Sequence, residues 1–146
     1  MADLIAKKSF LILTFLSLVL TQQAAASNVV SNSQKEKEPV CMWTDKHTVS
    51  INVDMPDPNS ISYHCKSADN DLGTHTGNWH WFFCEHAIMK TLFWCDFTWG
   101  SKKRSFEVFN SKTRLKICGK DCTWSVRTDG FYVKKGKQDV KMYDWQ

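Results

Sequence analysis

Six cysteines, five histidines and fifteen carboxylates are the side chains of this 146-residue chain with the means to do chemistry. A zinc site wants Cys and His in closely spaced pairs. Cys41, Cys65, Cys84, Cys95, Cys118 and Cys122, with His64, His75, His80 and His86 among them, show no such spacing. A thiol nucleophile wants a free thiolate beside a base. His64 adjoins Cys65, and on a strand adjacent side chains point to opposite faces. Asp69-Asn70-Asp71-Leu72-Gly73 has the oxygen-rich composition that calcium favours. It lacks the distant bidentate Glu, and reads as an Asx-rich turn closed by glycine. Past the leader described below, the glutamates are Glu36, Glu38, Glu85 and Glu107, and nothing marks two of them as a glycosidase pair. There is no Gly-rich phosphate loop, nucleophile elbow or zincin helix. The expectation is a non-enzymatic protein with no catalytic residue, no cofactor and no metal.

The residues that position whatever function remains begin with an address. Lys7 and Lys8 precede an apolar run, Phe10–Leu20, then a polar break at Thr21–Gln23 and small residues at Ala24–Ala26. That order predicts a cleavable signal peptide over 1–26, cut between Ala26 and Ser27. The apolar run is well short of the roughly 20 residues that span a bilayer. No lipid-anchor tail or retention tetrapeptide ends the chain, so the expected destination is extracellular, with no stable membrane insertion.

The 120 residues left after that cut carry a net charge of +3, too mild for a nucleic-acid binder and enough for solubility. They hold all six cysteines and all seven tryptophans. An even cysteine count in an exported domain reads as three disulfides, among fifteen connectivities that spacing alone does not resolve. Residues 27–39 are polar and unpatterned and predict a flexible arm; the domain is expected over 40–146.

Within it the pattern is short alternating runs between turn residues. Thr48–Val53, Ile61–Cys65, Trp79–Cys84, Thr91–Trp99, Lys103–Phe109, Cys122–Arg127 and Phe131–Val133 each alternate apolar and polar. Asp54–Asn59 and Ser67–Gly73 read as turn-rich connections, and Thr128-Asp129-Gly130 as a tight turn before the last strand. This predicts an all-β fold, a small disulfide-stapled β-sandwich of about seven to eight strands, with most Trp and Phe in its core. Trp43, Trp94 and Trp145 find no place in that pattern. Lys102–Arg104 and Lys134–Lys137 are short basic clusters of the kind that cap loops or protect edges.

Several blocks together resemble the plant self-incompatibility protein S1 family, the S-protein homologues. They are His64-Cys65-Lys66-Ser67 followed by Asp69…Gly73; Trp81-Phe82-Phe83; Thr91–Phe97; Cys118…Cys122-Thr123-Trp124; and Asp129–Tyr132, with Asn52 following Val49–Ile51. The likeness runs from Val49 to Val133. It implies a secreted β-sandwich of plant origin. Founding members of the family are pistil-side ligands sensed by a pollen membrane receptor, while most homologues have no established role. It also implies that the four family cysteines pair as Cys65–Cys122 and Cys95–Cys118, with the extra Cys41 and Cys84 tying the arm to the Trp79–Glu85 strand. There is no Asn-x-Ser/Thr glycosylation site.

The expected function is therefore that of an extracellular recognition or signalling ligand, a monomer, whose partner is an unidentified plant cell-surface receptor. The alternative is a secreted defence or toxin-like protein that binds glycans or membranes. Recognition is expected on the loops Asp54–Asn59, Gly100–Ser105 and Asn110–Lys120, since a rigid sandwich leaves its loops free to vary.

Overall fold

The computed structural model describes residues 38–88 and 90–146; the signal-peptide stretch and the Ala26/Ser27 cut lie outside them. Among these residues, nine strands form two sheets. They are β1 (Lys46–Val53), β2 (Ile61–Lys66), β3 (Asp71–Thr76), β4 (Trp79–Cys84), β5 (Leu92–Trp99), β6 (Lys102–Asn110), β7 (Cys122–Arg127), β8 (Gly130–Lys135) and β9 (Gln138–Tyr143). One short helix, α1 (Arg114–Ile117), interrupts the β6–β7 connection. The five-stranded sheet runs β4-β1-β7-β8-β9 and the four-stranded sheet β3-β2-β5-β6. Every described pairing is antiparallel except β1 with β7. No helix among the described residues is long and apolar enough to cross a membrane.

The alternation seen in the sequence is what buries the core. Val49, Ile51 and Val53 of β1, Ile61, Tyr63 and Cys65 of β2, Phe93, Cys95 and Phe97 of β5, and Cys122, Trp124 and Val126 of β7 all face inward. Phe106 lies between the sheets, with ring centroids 5.2 Å from Phe97, 4.7 Å from Trp124 and 5.1 Å from Phe131. The pattern breaks within β6. Val108 and Phe109 are neighbours, yet both are buried. The register explains this: Phe93 pairs with Phe109 and Trp94 with Glu107, so Val108 is the extra residue of a β-bulge. Its freed carbonyl accepts the Trp124 indole N–H at 2.9 Å, which satisfies the one polar atom of the largest buried side chain.

Two of the nine strands lie outside the seven alternating runs. β3 was read as part of a turn, and β9 lies beyond the segment read as the last strand. Asp71–Thr76 and Gln138–Tyr143 are both edge strands with polar, half-exposed sequences. An edge strand gains its hydrogen bonds from one neighbour and needs little apolar periodicity. At the β6 and β9 edges the chain's last residue stitches the sheets together: Lys103 and Gln146 exchange backbone hydrogen bonds of 2.7 and 3.0 Å.

The disulfides are Cys41–Cys84, Cys65–Cys95 and Cys118–Cys122. The pairing Cys65–Cys122 and Cys95–Cys118, implied by the family resemblance, is corrected here. Register puts Cys65 directly opposite Cys95 on adjacent strands of one sheet, while Cys122 belongs to the other sheet. Cys118 and Cys122 instead close a short loop behind α1, with Cα atoms 4.9 Å apart.

Replacing Trp124 with Phe takes away the donor of the Val108 carbonyl and part of a fully buried ring, and should cost about 1–3 kcal/mol or more. The same change at Trp94, half-exposed on the outer face, should stay within about 0.5 kcal/mol. Urea unfolding of the two variants checks this; equal losses would mean the bulge contact contributes nothing.

Candidate recognition surface

Strand direction divides the connections between two ends of the sandwich. Lys46 of β1, Cys84 of β4 and Cys122 of β7 lie at one end, and Val53, Trp79 and Val126 at the other. In the second sheet, Lys66, Leu92 and Asn110 share one end, and Ile61, Trp99 and Lys102 the other. The loops expected to act together are therefore separated. Asp54–Asn59 and the β5–β6 turn are at one end, and Asn110–Lys120 at the opposite one.

The Asp54–Asn59 end is tightly tied. Asp57 caps a 3-10 turn at Pro58–Ser60, accepting from the Asn59 N–H at 3.0 Å. Asp54 accepts from Arg127 at 3.1 Å, and Arg127 also bonds Asp139 and lies over the Tyr132 ring. Gly100–Ser105 is not a loop: only Gly100 and Ser101 turn, with Gly100 at a φ of 57°, and β6 begins at Lys102. Trp145, unplaced in the sequence pattern, packs 4.5 Å from Phe131 and donates its indole N–H to the Arg127 carbonyl at this end.

The other end gathers residues 38–45, the β2–β3 turn, the β4–β5 connection, the β6–β7 connection that carries α1, and the β8–β9 turn. Its interior is a buried polar cluster. His47 is fully buried, and Glu85 nearly so. The Glu85 carboxylate faces His47 Nε2 at 3.2 Å and accepts from Arg114 Nη2 at 3.2 Å and Nε at 3.4 Å. His47 Nδ1 lies 2.6 Å from the Lys120 carbonyl. Both ring nitrogens thus face oxygen atoms. Burial alone would raise the Glu85 carboxyl; the neighbouring Ser111 hydroxyl, Arg114 and His47 outweigh it and hold it below its ordinary value of 4.5. Ser111 Oγ, though buried beside the carboxylate, makes no hydrogen bond of regular geometry.

Backbone bonds complete the frame. Ser111 N–H donates to the Thr91 carbonyl at 2.9 Å, and Thr48 N–H to Asp121 at 2.9 Å. The Cys41–Cys84 bridge fastens the N-terminal segment to the end of β4. Above this frame the side chains are open. Met42, Trp43, Asp45, His86 and Ala87 line a shallow cleft over Glu85, and Trp43 is 91% exposed.

The other candidate chemical residues have structural partners. All six cysteines are bridged, so none supplies a thiolate. Asp71 accepts from the Gly73 N–H at 2.8 Å and faces His64 Nε2 at 2.9 Å, tying its own hairpin; Gly73 has a φ of 82°, where a side chain would be strained. His75 stacks on Trp79, centroids 3.5 Å apart. His80 lies beside Phe82, Glu107 accepts from Asn110, and Glu38 pairs with Lys46. Trp94 sits under Lys66 on the outer face. Among the described residues no three His, Cys, Asp or Glu converge to hold a metal. The sequence reading missed His47, Glu85 and Arg114. Extending the β1 alternation back from Val49 by one more inward position reaches His47, a signal that was present but unused.

The structure is a rigid, stapled sandwich with open side chains at one end. The chain belongs to the plant self-incompatibility protein S1 family, whose model matches residues 48–145. It is 28% identical over 146 residues to S-protein homolog 2 of Arabidopsis thaliana, covering 93% of this chain and 91% of that protein. S-protein homolog 3 of the same plant is 30% identical over 112 residues, 70% of this chain and 75% of that one. S-protein homolog 1 is 26% identical over 147 residues, 95% of each. No solved structure gives a significant match.

Because Glu85 is held ionised, its contribution to stability is present above the unfolded carboxyl value of 4.5 and is lost as pH falls through the lower folded value. Glu85→Gln should therefore destabilise the protein by about 2 kcal/mol or more at neutral pH, with Arg114 left unpaired. The gap to the parent should shrink on acidification below pH 4.5. Urea unfolding at several pH values measures both; a gap independent of pH would remove Glu85 ionisation as the cause.

Proposed function

We propose that this chain is an exported, non-enzymatic plant recognition protein, a ligand read by a receptor at the surface of another cell. The single observation that carries the reading is the division of labour in the fold. Three disulfides, two sheets and a buried ion cluster are spent on rigidity, and the open side chains are left on the connections. A ligand whose surface is ordered before it binds loses less entropy on binding. Membership of the S1 family supports the same reading, as do the leader-like order of Lys7–Ala26 and the pairing of every cysteine. Disulfides of this density belong to an oxidising compartment.

The leader reading predicts that the chain, made in a eukaryotic secretion host, appears in the medium with Ser27 as its first residue. N-terminal sequencing checks the cut, and retention inside the cell would contradict export. The receptor reading predicts saturable binding of the secreted, dye-labelled protein to intact plant cells, abolished by mild protease treatment of those cells. Stigma, pollen, root and seed tissue should be compared, because confinement to pollen would favour a mating role. Absence of protease-sensitive binding in every tissue would defeat the receptor reading.

A further inference from the structure

Among the described residues, the five most exposed large apolar side chains all stand at the same end of the sandwich. Val40, Met42 and Trp43 are 88%, 78% and 91% exposed on the segment that Cys41 anchors to β4. Ile88, on the β4–β5 connection, is 59% exposed, and Leu115, on α1, 74%. Three separate stretches of chain thus bring projecting apolar tips to one face, while the opposite end tucks Trp145 and Trp99 against each other at 5.7 Å. Chance scatter of single apolar residues over a surface needs no explanation, but their confinement to one end does.

The charges at this end are weighted to the positive sign. Lys90, Lys112, Lys116 and Lys120 are exposed on the same two connections, and none makes an ion pair among the described residues. Among the described residues the acids at this end are fewer than the lysines: exposed Asp45 and Asp69 also make no ion pair, and the others have partners. Glu85 is turned inward to Arg114 and His47, Asp121 accepts from the Thr48 backbone, and Glu38 pairs with Lys46. The hairpin between β8 and β9 turns at this end too and adds exposed Lys135 and Lys137.

Projecting Trp and aliphatic tips ringed by unpaired lysines match an amphipathic, anionic plane: the tips enter the headgroup layer and the ammonium groups meet phosphates. A peptide partner would instead want its anchors received in a deep pocket, and the cleft beside Trp43 is shallow and open. We propose that this end docks peripherally, without spanning, on a bilayer surface rich in anionic phospholipid. The Cys41–Cys84 bridge sets Met42 and Trp43 at the height where they can enter it. This goes beyond the receptor reading and does not depend on it.

The test uses the secreted full chain, floated with vesicles of phosphatidylcholine alone or mixed with phosphatidylserine. Binding is expected to the mixed vesicles and to weaken as salt is raised. Brominated lipid should quench part of the tryptophan fluorescence, and Trp43→Phe should remove the larger share of that quenching. Trp43→Ser with Met42→Ser should weaken binding while leaving the thermal melt unchanged, since both residues are exposed. Lys→Gln at 90, 112, 116 and 120 should weaken binding by about fivefold for each lysine. No flotation with anionic vesicles overturns the proposal. So does flotation that survives the Trp43/Met42 change, or equal binding to soluble polygalacturonate, because charge alone would then explain it. Receptor binding is read separately, by protease sensitivity on whole cells, so either result can fail while the other stands.

Discussion

One buried carboxylate organises the end of the molecule that faces outward. Glu85 takes its partners from His47 on β1 and Arg114 on α1, residues 38 and 29 positions away. A charge withdrawn from water costs several kcal/mol unless its partners are in place. The arrangement is therefore close to all-or-none. When β1, the β4–β5 connection and α1 are assembled, the carboxylate is satisfied; if one is displaced, a charge is stranded. Such a cluster contributes little net stability compared with an apolar replacement, but it discriminates strongly between arrangements. Here it sets where the N-terminal segment, the β4–β5 connection and α1 stand relative to one another.

The cluster works only because the sandwich beneath it is stiff. His47 is walled by Phe109 at 5.3 Å and Phe83 at 5.9 Å, and those rings continue through Phe93 to Trp81. The β-bulge at Val108 serves the same region twice. It turns two successive side chains inward, and it frees a carbonyl for Trp124 from the other sheet. A regular strand would have left that indole without an acceptor or that carbonyl within the ladder. The two sheets are thus joined by a directional bond as well as by apolar contact, which limits their sliding.

The core strands could be read in the sequence because each buries one face, and burial of one face imposes period two. β3 and β9 escaped because they are edge strands whose side chains are mostly half-exposed on both faces. The bulge escaped because it violates that period at a single residue. α1 is four residues long and follows no apolar stripe; the contacts of Arg114 and the loop closed by Cys118 and Cys122 hold it instead. Of the three expected recognition loops, Asp54–Asn59 and Asn110–Lys120 fall at opposite ends, and four of the six residues of Gly100–Ser105 are strand.

Composition and spacing were enough to settle the all-β class, the inward faces of the main strands and the family, because these depend on local alternation and on short blocks of residues. Which cysteine faces which was decided by register, a relation between strands distant in sequence: Cys65 meets Cys95 because β2 lies beside β5. The same holds for the open surface. Nothing in the order of residues places Trp43, Ile88 and Leu115 at one end of the sandwich, or gathers His47, Glu85 and Arg114 into one cluster. The pairing does: β4 runs antiparallel to β1, so its end meets the start of β1, and β7 runs parallel to β1, so the connection that carries α1 arrives there too.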